Sequence, residues 1–333
     1  CDMMETNYLA DILILLAAAI VAVPVFKRLG LGSVLGYLTA GAIVGPWGVG
    51  FIDEIEEIRH IAEFGVIFLL FIIGIELKPA RLWAMRRIVF GLGTAQVLVT
   101  GLVITGIALL FEQSLRTAVI VGFGLALSST AFGLQILTER NELGTVHGQT
   151  AFSILLLQDL AVVPLLTLVS LLATDTTLLE GIEFAILEAV LVIVLVILAG
   201  RFFLSPILRL VATSRTAEVF TAAAVFAVLG TAWLMEQVGL SLALGAFLAG
   251  LMMSESHYRH QVIADIKPFR GILLGLFFMG VGMSIDFGLL IRHAGLITGL
   301  VLCLLLIKST ILWTLCRLMG IGAPDATRVS LLL

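Results

Sequence analysis

One carboxylate lies in the middle of a long apolar run. Asp159 follows Gln158 in LLLQDLAVVPLL, residues 155–166, and Pro164 comes later in the same run. An ionised Asp at the centre of a bilayer costs about 3 kcal/mol on insertion scales, and such residues usually face a polar path. Asp159 is therefore either a cation- or proton-binding group, with Gln158 as a second ligand or an orienting group, or a structural carboxylate paired with a buried cation.

Three consecutive hydroxyl residues form the second candidate. Ser128, Ser129 and Thr130 lie in LALSSTAFG, residues 125–133. This composition suits a helix that unwinds within the membrane, where free carbonyls and hydroxyls coordinate a cation. Close packing of helices uses the same small residues. The sequence leaves both interpretations open.

Lys308, in LLLIKSTILW, is the only basic residue deep within a predicted helix. It is predicted to compensate the charge of Asp159 or to carry a proton, and the alternative is a lysine that extends to the membrane interface. Three other acids, Glu76, Glu188 and Asp286, lie nearer to helix ends. They are interpreted as polar termini at the membrane surface.

The composition excludes an ordinary soluble domain. Hydrophobic residues make up 60% of the 333 residues and charged residues only 13%, against about 25% charged residues in soluble proteins. Apolar runs long enough to cross a bilayer recur along the whole chain. An all-α polytopic membrane protein is predicted, with eleven helices near 8–28, 32–46, 61–79, 88–111, 115–139, 147–173, 181–200, 216–237, 240–253, 268–284 and 288–318.

The basic residues predict the orientation. Of the 19 Lys and Arg residues, fifteen lie in the connections after odd-numbered predicted helices and three on the other side, with Lys308 left over. Because basic residues accumulate on the cytoplasmic side, the N-terminus is predicted to be outside. The segment 254–271 is then a cytoplasmic connector. It is either a regulatory contact that uses His260 and Asp265, or an ordinary solvated loop.

An internal repeat is visible. GLGSVLGYLTAG (30–41) matches GLSLALGAFLAG (239–250), and GVIFLLFIIGI (65–75) matches GILLGLFFMGV (271–281). The matched helices are seven positions apart, so the two copies run in opposite directions, as in many secondary transporters. Residues 8–173 are predicted to be the first repeat, 181–212 a linker helix and 216–333 an incomplete second repeat. A twelfth helix is expected from about Arg328, within a longer protein.

Several motifs together resemble one family. They are GLGSVLGYLTAGAIVGPWG, LFIIGIEL, LALSSTA, LLLQDLAVVPL, GAFLAG and GLFFMGVGMSIDFG. They are similar to Kef-type glutathione-gated potassium/proton antiporters of the cation/proton antiporter-2 family, whose Gln-Asp pair distinguishes them from relatives with two aspartates. The segment 254–271 departs from the family pattern, because Ile263 and Lys267 stand where acids are expected.

The resemblance implies an inverted-repeat fold like that of NhaA and NapA. It also implies thirteen helices in a dimerisation domain and a mobile core, and a homodimer in the bacterial inner membrane. The core would contain two crossing, partly unwound helices, the first of which includes Ser128, Ser129 and Thr130. The C-terminal nucleotide-binding domain of the family is absent from these residues, so a separate regulatory domain or ancillary subunit is a possible partner.

The predicted function is exchange of a monovalent cation for protons, with potassium leaving the cell by alternating access. Asp159 would bind either potassium or a proton. The alternatives are a sodium/proton antiporter and a ligand-gated potassium channel. An intramembrane aspartyl protease would need two facing aspartates, so no enzyme activity is predicted. Potassium and the proton are the only expected ligands besides membrane lipid, with no cofactor and no nucleic acid.

Overall fold

The structure is a computed structural model that describes residues 2–52, 55–77, 79–173, 187, 190–198, 200, 217–256 and 258–333. Most of these residues are helical, and there is no strand among them. In the first half of the chain the helices are α1 (Asp2–Arg28), α2 (Gly32–Val44), α3 (Ile55–Glu76), α4 (Pro79–Ala84), a π-helical segment (Ile88–Gly93), α5 (Thr94–Leu110), α6 (Leu115–Ala126), α7 (Thr130–Glu139) and α8 (Val146–Ala173).

The second half begins with helical residues 190–198. It continues with α9 (Ala217–Glu236), α10 (Leu242–Met253), α11 (Arg259–Met283), α12 (Phe287–Arg292), α13 (Ala294–Leu318) and α14 (Ala323–Leu332). In the described part of the chain, six segments are long and apolar enough to cross a membrane. The prediction of an all-α polytopic membrane protein is confirmed. Most of the predicted linker helix, with Glu188, lies outside the described residues.

One predicted loop is a helix. Residues 259–271 of the segment 254–271 form the first half of α11 instead of a solvated connector. Val262 and Ile266 are four residues apart and both are buried, so they give this polar stretch an apolar helical face. The sequence interpretation placed the boundary at Pro268, which the helix accommodates in its interior. The twelfth predicted helix also begins earlier, at Ala323 instead of near Arg328.

The chain divides into two compact units, each described by itself. Unit 1 contains residues 1–69 and 266–303, and unit 2 contains residues 70–265 and 304–333. The core of unit 1 is apolar and is built from α1, α2, α11 and the segment after α2. Its buried members are Leu15, Ala40, Val44, Ile52, Met279 and Met283.

Unit 2 has a core in which α8, α13, α14 and the π-helical segment meet. Its buried members are Leu92, Ile154, Leu312, Cys316, Ala326 and Val329. Close approach of α8 to the π-helical segment depends on Gly93, because a Cβ there would lie 2.7 Å from the Cβ of Leu157. Leu157 immediately precedes Gln158 and Asp159, so this contact sets the position of both residues.

Glycines matched by the predicted repeat have matching structural roles. Gly30 and Gly239 follow α1 and α9, and their φ angles are 75° and 76°. Only glycine adopts such left-handed conformations without strain. Gly36 and Gly245 are also matched in the sequence, and each lets its helix, α2 or α10, pack against the backbone of the preceding long helix.

Two further helix pairs are related in the same way. In unit 1, a Cβ on Gly41 would overlap the Met279 carbonyl oxygen, and a Cβ on Gly282 would overlap the Leu38 carbonyl oxygen. Helices α2 and α11 therefore touch backbone to backbone. Such contacts between small residues are the usual means of helix association in membranes.

In unit 2, Gly250 of α10 and Gly74 of α3 make the corresponding contacts with the carbonyl oxygens of Phe71 and Phe247. This reciprocity is what an inverted repeat produces, although the predicted repeat boundaries stay a prediction. By these contacts, position 71 corresponds to position 279 and position 74 to position 282. The sequence match of 65–75 with 271–281 is shifted by two residues from this correspondence. Similar apolar side chains allow a sequence alignment to slide in this way.

Candidate functional site

The site is organised around a break between two helices. Helix α6 ends at Ala126 and α7 begins at Thr130, within a single apolar stretch, Leu115–Glu139. Residues 127–129 are not helical. Of the two interpretations that the sequence leaves open for the segment 125–133, the structure shows the unwound helix.

Ser129 begins the second half of the broken helix. Its backbone is extended, and its Oγ accepts a hydrogen bond from Phe132 N at 3.3 Å. Serine is among the preferred residues at this position because its side chain satisfies a backbone N–H that the helix leaves free. The side chain of Ser129 is exposed.

Two buried glutamines connect the end of α6 to the backbone within the break. Gln96, on α5, donates from Nε2 to the Ala126 carbonyl oxygen at 2.9 Å. Gln158, on α8, accepts from Ser128 N at 2.8 Å and donates from Nε2 to Gln96 Oε1 at 2.8 Å. Unpaired backbone groups cost several kcal/mol in a bilayer. These hydrogen bonds of the two glutamines therefore stabilise the unwound segment.

Lys308 satisfies the next carbonyl. Its Nζ donates to Leu127 O at 2.8 Å and to Ser128 Oγ at 2.9 Å, and Ser128 Oγ donates in turn to Leu333 O at 2.7 Å. The C-terminal end of α6 and the carbonyl group of Leu333 therefore meet at Lys308 and Ser128. Because helix C-termini carry partial negative charge, an ammonium group is stabilised there. Lys308 is only 6% exposed.

Asp159 lies at the opposite helix end. Thr130, the first residue of α7, donates from Oγ1 to Asp159 Oδ1 at 3.3 Å. A carboxylate is favoured beside a helix N-terminus, where free N–H groups and the helix dipole attract anions. Among the described residues no salt bridge joins Asp159 to Lys308, so carboxylate lone pairs are available for a cation or a proton.

The structure brings five of the six residues predicted for the cation site and its charge compensation to the break, in two separate hydrogen-bonded groups: Ser128 with Gln158 and Lys308, and Thr130 with Asp159. Ser128, Thr130, Gln158, Asp159 and Lys308 are joined to the break or to each other by hydrogen bonds. Ser129, the sixth, caps α7 at the same place. The predicted pairing of Lys308 with Asp159 stays a prediction, since Lys308 contacts helix-end groups instead.

The sequence matches a known protein family over nearly its whole length. Residues 13–333 match the family described as sodium/hydrogen exchanger, transmembrane. The chain belongs to this exchanger family. Its general activity is therefore cation/proton antiport across a membrane, in which the exchanger carries cations and protons in opposite directions.

Sequence reasoning missed Gln96. This residue is fully buried in α5 of the exchanger, and its Nε2 also lies 3.4 Å from Thr100 Oγ1. A signal was present: Gln96 and Thr100 are polar residues four apart within the apolar run TAQVLVTG. That spacing puts them on one helix face, but only the fold shows that the face is directed at the break.

A second polar cluster of the exchanger was also missed. His147, near the start of α8, is buried, and its Nδ1 lies 3.2 Å from Asp325 Oδ1 of α14. Its Nε2 lies 3.2 Å from Glu142 Oε2. A ring that carries both protons can donate to both carboxylates, whereas a neutral ring can donate to only one. Asp325 is 178 positions away in sequence, so no local pattern indicates the cluster.

The two predicted regulatory residues of the exchanger lie on α11. Asp265 accepts from Thr221 Oγ1 at 2.7 Å and from Gln261 Nε2 at 2.8 Å, which ties α11 to α9. His260 is exposed, and its Nε2 accepts from Arg259 Nε at 3.3 Å. A regulatory role for His260 and Asp265 stays a prediction.

Proposed function

We propose that the exchanger trades potassium for protons at Asp159, as the resemblance to Kef-type antiporters implies. The observation that carries this proposal is the Asp159 carboxylate at the N-terminal end of α7, with Thr130 as its hydrogen-bond donor. An ionised carboxylate with free lone pairs binds a cation, and a protonated one releases it. Because one carboxylate does not hold both, occupancy by the proton excludes the cation and couples the two fluxes.

The neighbouring residues divide into two groups in this proposal. Asp159 and Thr130 contact the cation. Ser128 and Ser129 belong to the unwound segment, and Gln158 of α8 holds that segment in place through its hydrogen bond with Ser128 N. Lys308 keeps its proton and compensates the partial negative charge at the end of α6.

The proposed stoichiometry is one cation for one proton. Gln158 occupies the position next to Asp159 and carries an amide, which does not titrate. With Lys308 permanently charged, only Asp159 changes its protonation during the cycle. One half-cycle then moves one positive charge as the cation, and the other half-cycle moves one positive charge in the opposite direction as the proton. The exchange is therefore electroneutral.

A measurement at fixed membrane voltages tests this proposal. The exchanger, reconstituted in liposomes with a fixed pH gradient, should build the same final potassium gradient at every voltage. Membrane voltage acts on net moved charge, at about 2.3 kcal/mol per charge per 100 mV. A final gradient that moves with voltage would contradict one-for-one exchange and indicate that Lys308 carries a second proton.

Sodium is the second candidate, favoured by the family description, which names sodium/hydrogen exchange. The same liposomes separate the two cations. Proton movement driven by potassium and saturable with it supports the first proposal, and proton movement driven only by sodium supports the second. Cation flux that needs no protons would support the channel alternative.

The proposal extends to assembly and location. We propose a homodimer in a bacterial inner membrane with the N-terminus outside, regulated through a nucleotide-binding domain or an ancillary subunit, without enzyme activity or a cofactor. The resemblance and the distribution of Lys and Arg support this. Labelling of single introduced cysteines by an impermeant reagent, in intact cells, checks the orientation.

A further inference from the structure

We infer that Gln96 is a positioning residue of the exchange site, which acts on Asp159 through Gln158 and the helix break. This inference rests on the proposed exchange at Asp159. Gln96 itself is not placed against the cation. It lies on α5 and is fully buried. The NH2 group of its side-chain amide faces the Ala126 carbonyl, and the amide oxygen faces the side chain of Gln158.

The chemistry of the backbone determines the direction of every hydrogen bond in this chain. The Ala126 carbonyl can only accept, so the Gln96 NH2 group must face it. Ser128 N–H can only donate, so the Gln158 carbonyl must face it. The remaining contact is then Gln158 Nε2 donating to Gln96 Oε1. Only one arrangement of the two amides satisfies all partners.

This arrangement fixes the end of α6 and the first part of the break. Residues 126 and 128 are connected through two side chains from two other helices, so their separation is set by the length of the two amides. Both polar groups of the Gln158 side chain are used in hydrogen bonds with Ser128 and Gln96. Among the described contacts, no hydrogen bond joins Gln158 to Asp159. Asp159 is therefore left as the single titrating ligand, and Gln96 is the residue that keeps Gln158 in this role.

The requirement at position 96 is a donor and an acceptor on one planar group. A leucine of similar size would leave Ala126 O and Gln158 Nε2 buried without hydrogen-bond partners, which destabilises this arrangement. A protonated glutamic acid offers the same donor and acceptor as glutamine. An ionised glutamate offers acceptors only, and would repel the Ala126 carbonyl.

The test uses this difference in the variants Gln96→Glu and Gln96→Leu. Exchange is measured in liposomes at several pH values with the size of the pH gradient held constant. We expect Gln96→Leu to reduce exchange at least tenfold, because it removes the two buried hydrogen bonds to Ala126 O and Gln158 Nε2. We expect Gln96→Glu to exchange at almost the wild-type rate at acid pH and to lose activity reversibly as the pH rises and the glutamate ionises. Its pH profile should therefore show a decline that the wild-type profile lacks.

A matched control comes from the same helix. Thr105 is buried in α5, and among the described residues its Oγ1 has no hydrogen-bond partner. Thr105→Val should keep the wild-type rate and pH profile, because the site does not depend on that hydroxyl. Melting temperatures taken at each pH show whether Gln96→Glu stays folded while its activity changes.

Two outcomes would overturn the inference. One is a Gln96→Glu variant that follows the wild-type pH profile throughout, and the other is a Gln96→Leu variant with wild-type rate and KM. Should Gln96→Leu not fold, the reversible pH response of a single folded Gln96→Glu preparation still decides. Absence of exchange in the wild type and in Thr105→Val would instead overturn the proposed function, and this inference with it.

Discussion

The two units of the exchanger differ in what they bury. Of the eleven buried polar or charged side chains in the described part of the chain, ten lie in unit 2 and one, Ser33, lies in unit 1. The core of unit 1 consists of apolar side chains and of helices that touch through glycines. Unit 2 contains both glutamines, Lys308 and His147, together with the helix break.

This difference has a physical meaning in a membrane. Helices associate there through close packing of small residues, because lipid gives no hydrophobic force between them. Buried polar groups are costly and are retained where they have a task. We therefore expect unit 1 to act as a packed body and unit 2 to carry the exchange site. Substitutions in unit 1 should act on folding, and those at the polar network of unit 2 should act on transport.

The largest expected effect is that of Asp159→Asn in unit 2. The amide keeps the shape of the carboxylate, but it neither ionises nor takes up a proton. Coupled exchange should disappear while the protein stays inserted and folded, as judged by its melting temperature. Liposome flux of potassium against protons measures the loss.

Asp286→Asn is the control for this prediction. Asp286 caps α12 through a 2.9 Å hydrogen bond from Leu289 N, and asparagine caps helices equally well. This variant should transport normally. Wild-type exchange by Asp159→Asn would remove Asp159 from the site and with it the proposed mechanism.

The next effect is expected in unit 1, from Gly41→Ala. The new Cβ would overlap the Met279 carbonyl oxygen, so α2 and α11 must separate. Overpacking of this kind costs roughly 3 kcal/mol, which should lower the melting temperature and the yield of folded protein. Protein that does fold should exchange at a normal rate per molecule.

Gly299→Ala provides the comparison within the same unit. Gly299 is helical, and a Cβ there would meet no atom within 4 Å. Stability should stay the same or rise by up to about 1 kcal/mol, the helix-propensity gain of alanine. Equal melting temperatures for the two glycine variants would show that α2 and α11 are not in backbone contact.

The smallest expected effect comes from Lys308→Arg, compared with Lys308→Met. Arginine keeps a charged donor for Leu127 O and Ser128 Oγ, whereas methionine leaves both without it. We expect the first variant to retain most activity and the second to lose about tenfold or more, at an unchanged pH optimum. A pH optimum that moves upward would instead support the predicted compensation of Asp159 by Lys308.

Lys267→Met serves as the lysine control. Lys267 is exposed on α11, so loss of its charge should leave both rate and pH optimum unchanged. A similar loss of exchange in this variant would mean that general surface charge, and not the helix break, explains the behaviour of Lys308→Met.

Much of the fold follows from local sequence. The span of predicted helix 5 follows from its apolar length, whereas the three adjacent hydroxyl residues left its interruption near residues 127–129 as one of two interpretations. The predicted repeat is visible in the sequence because glycines recur at positions where a larger side chain would collide with a neighbouring helix backbone. The polar start of α11 was interpreted wrongly, because a buried face of only Val262 and Ile266 is too sparse to outweigh its charges and Pro268.

The sequence by itself identified the candidate groups for the chemistry. A carboxylate and a lysine in apolar runs are too costly in a membrane to be there by chance, so Asp159 and Lys308 were identifiable without a fold. Only the tertiary structure decided what each one touches. Asp159 meets the N-terminal end of α7 and Lys308 meets the C-terminal end of α6, because helices distant in sequence cross at the break. The role of Gln96 was decided there too, since hydrogen-bond partners 30 and 62 positions apart leave no local pattern.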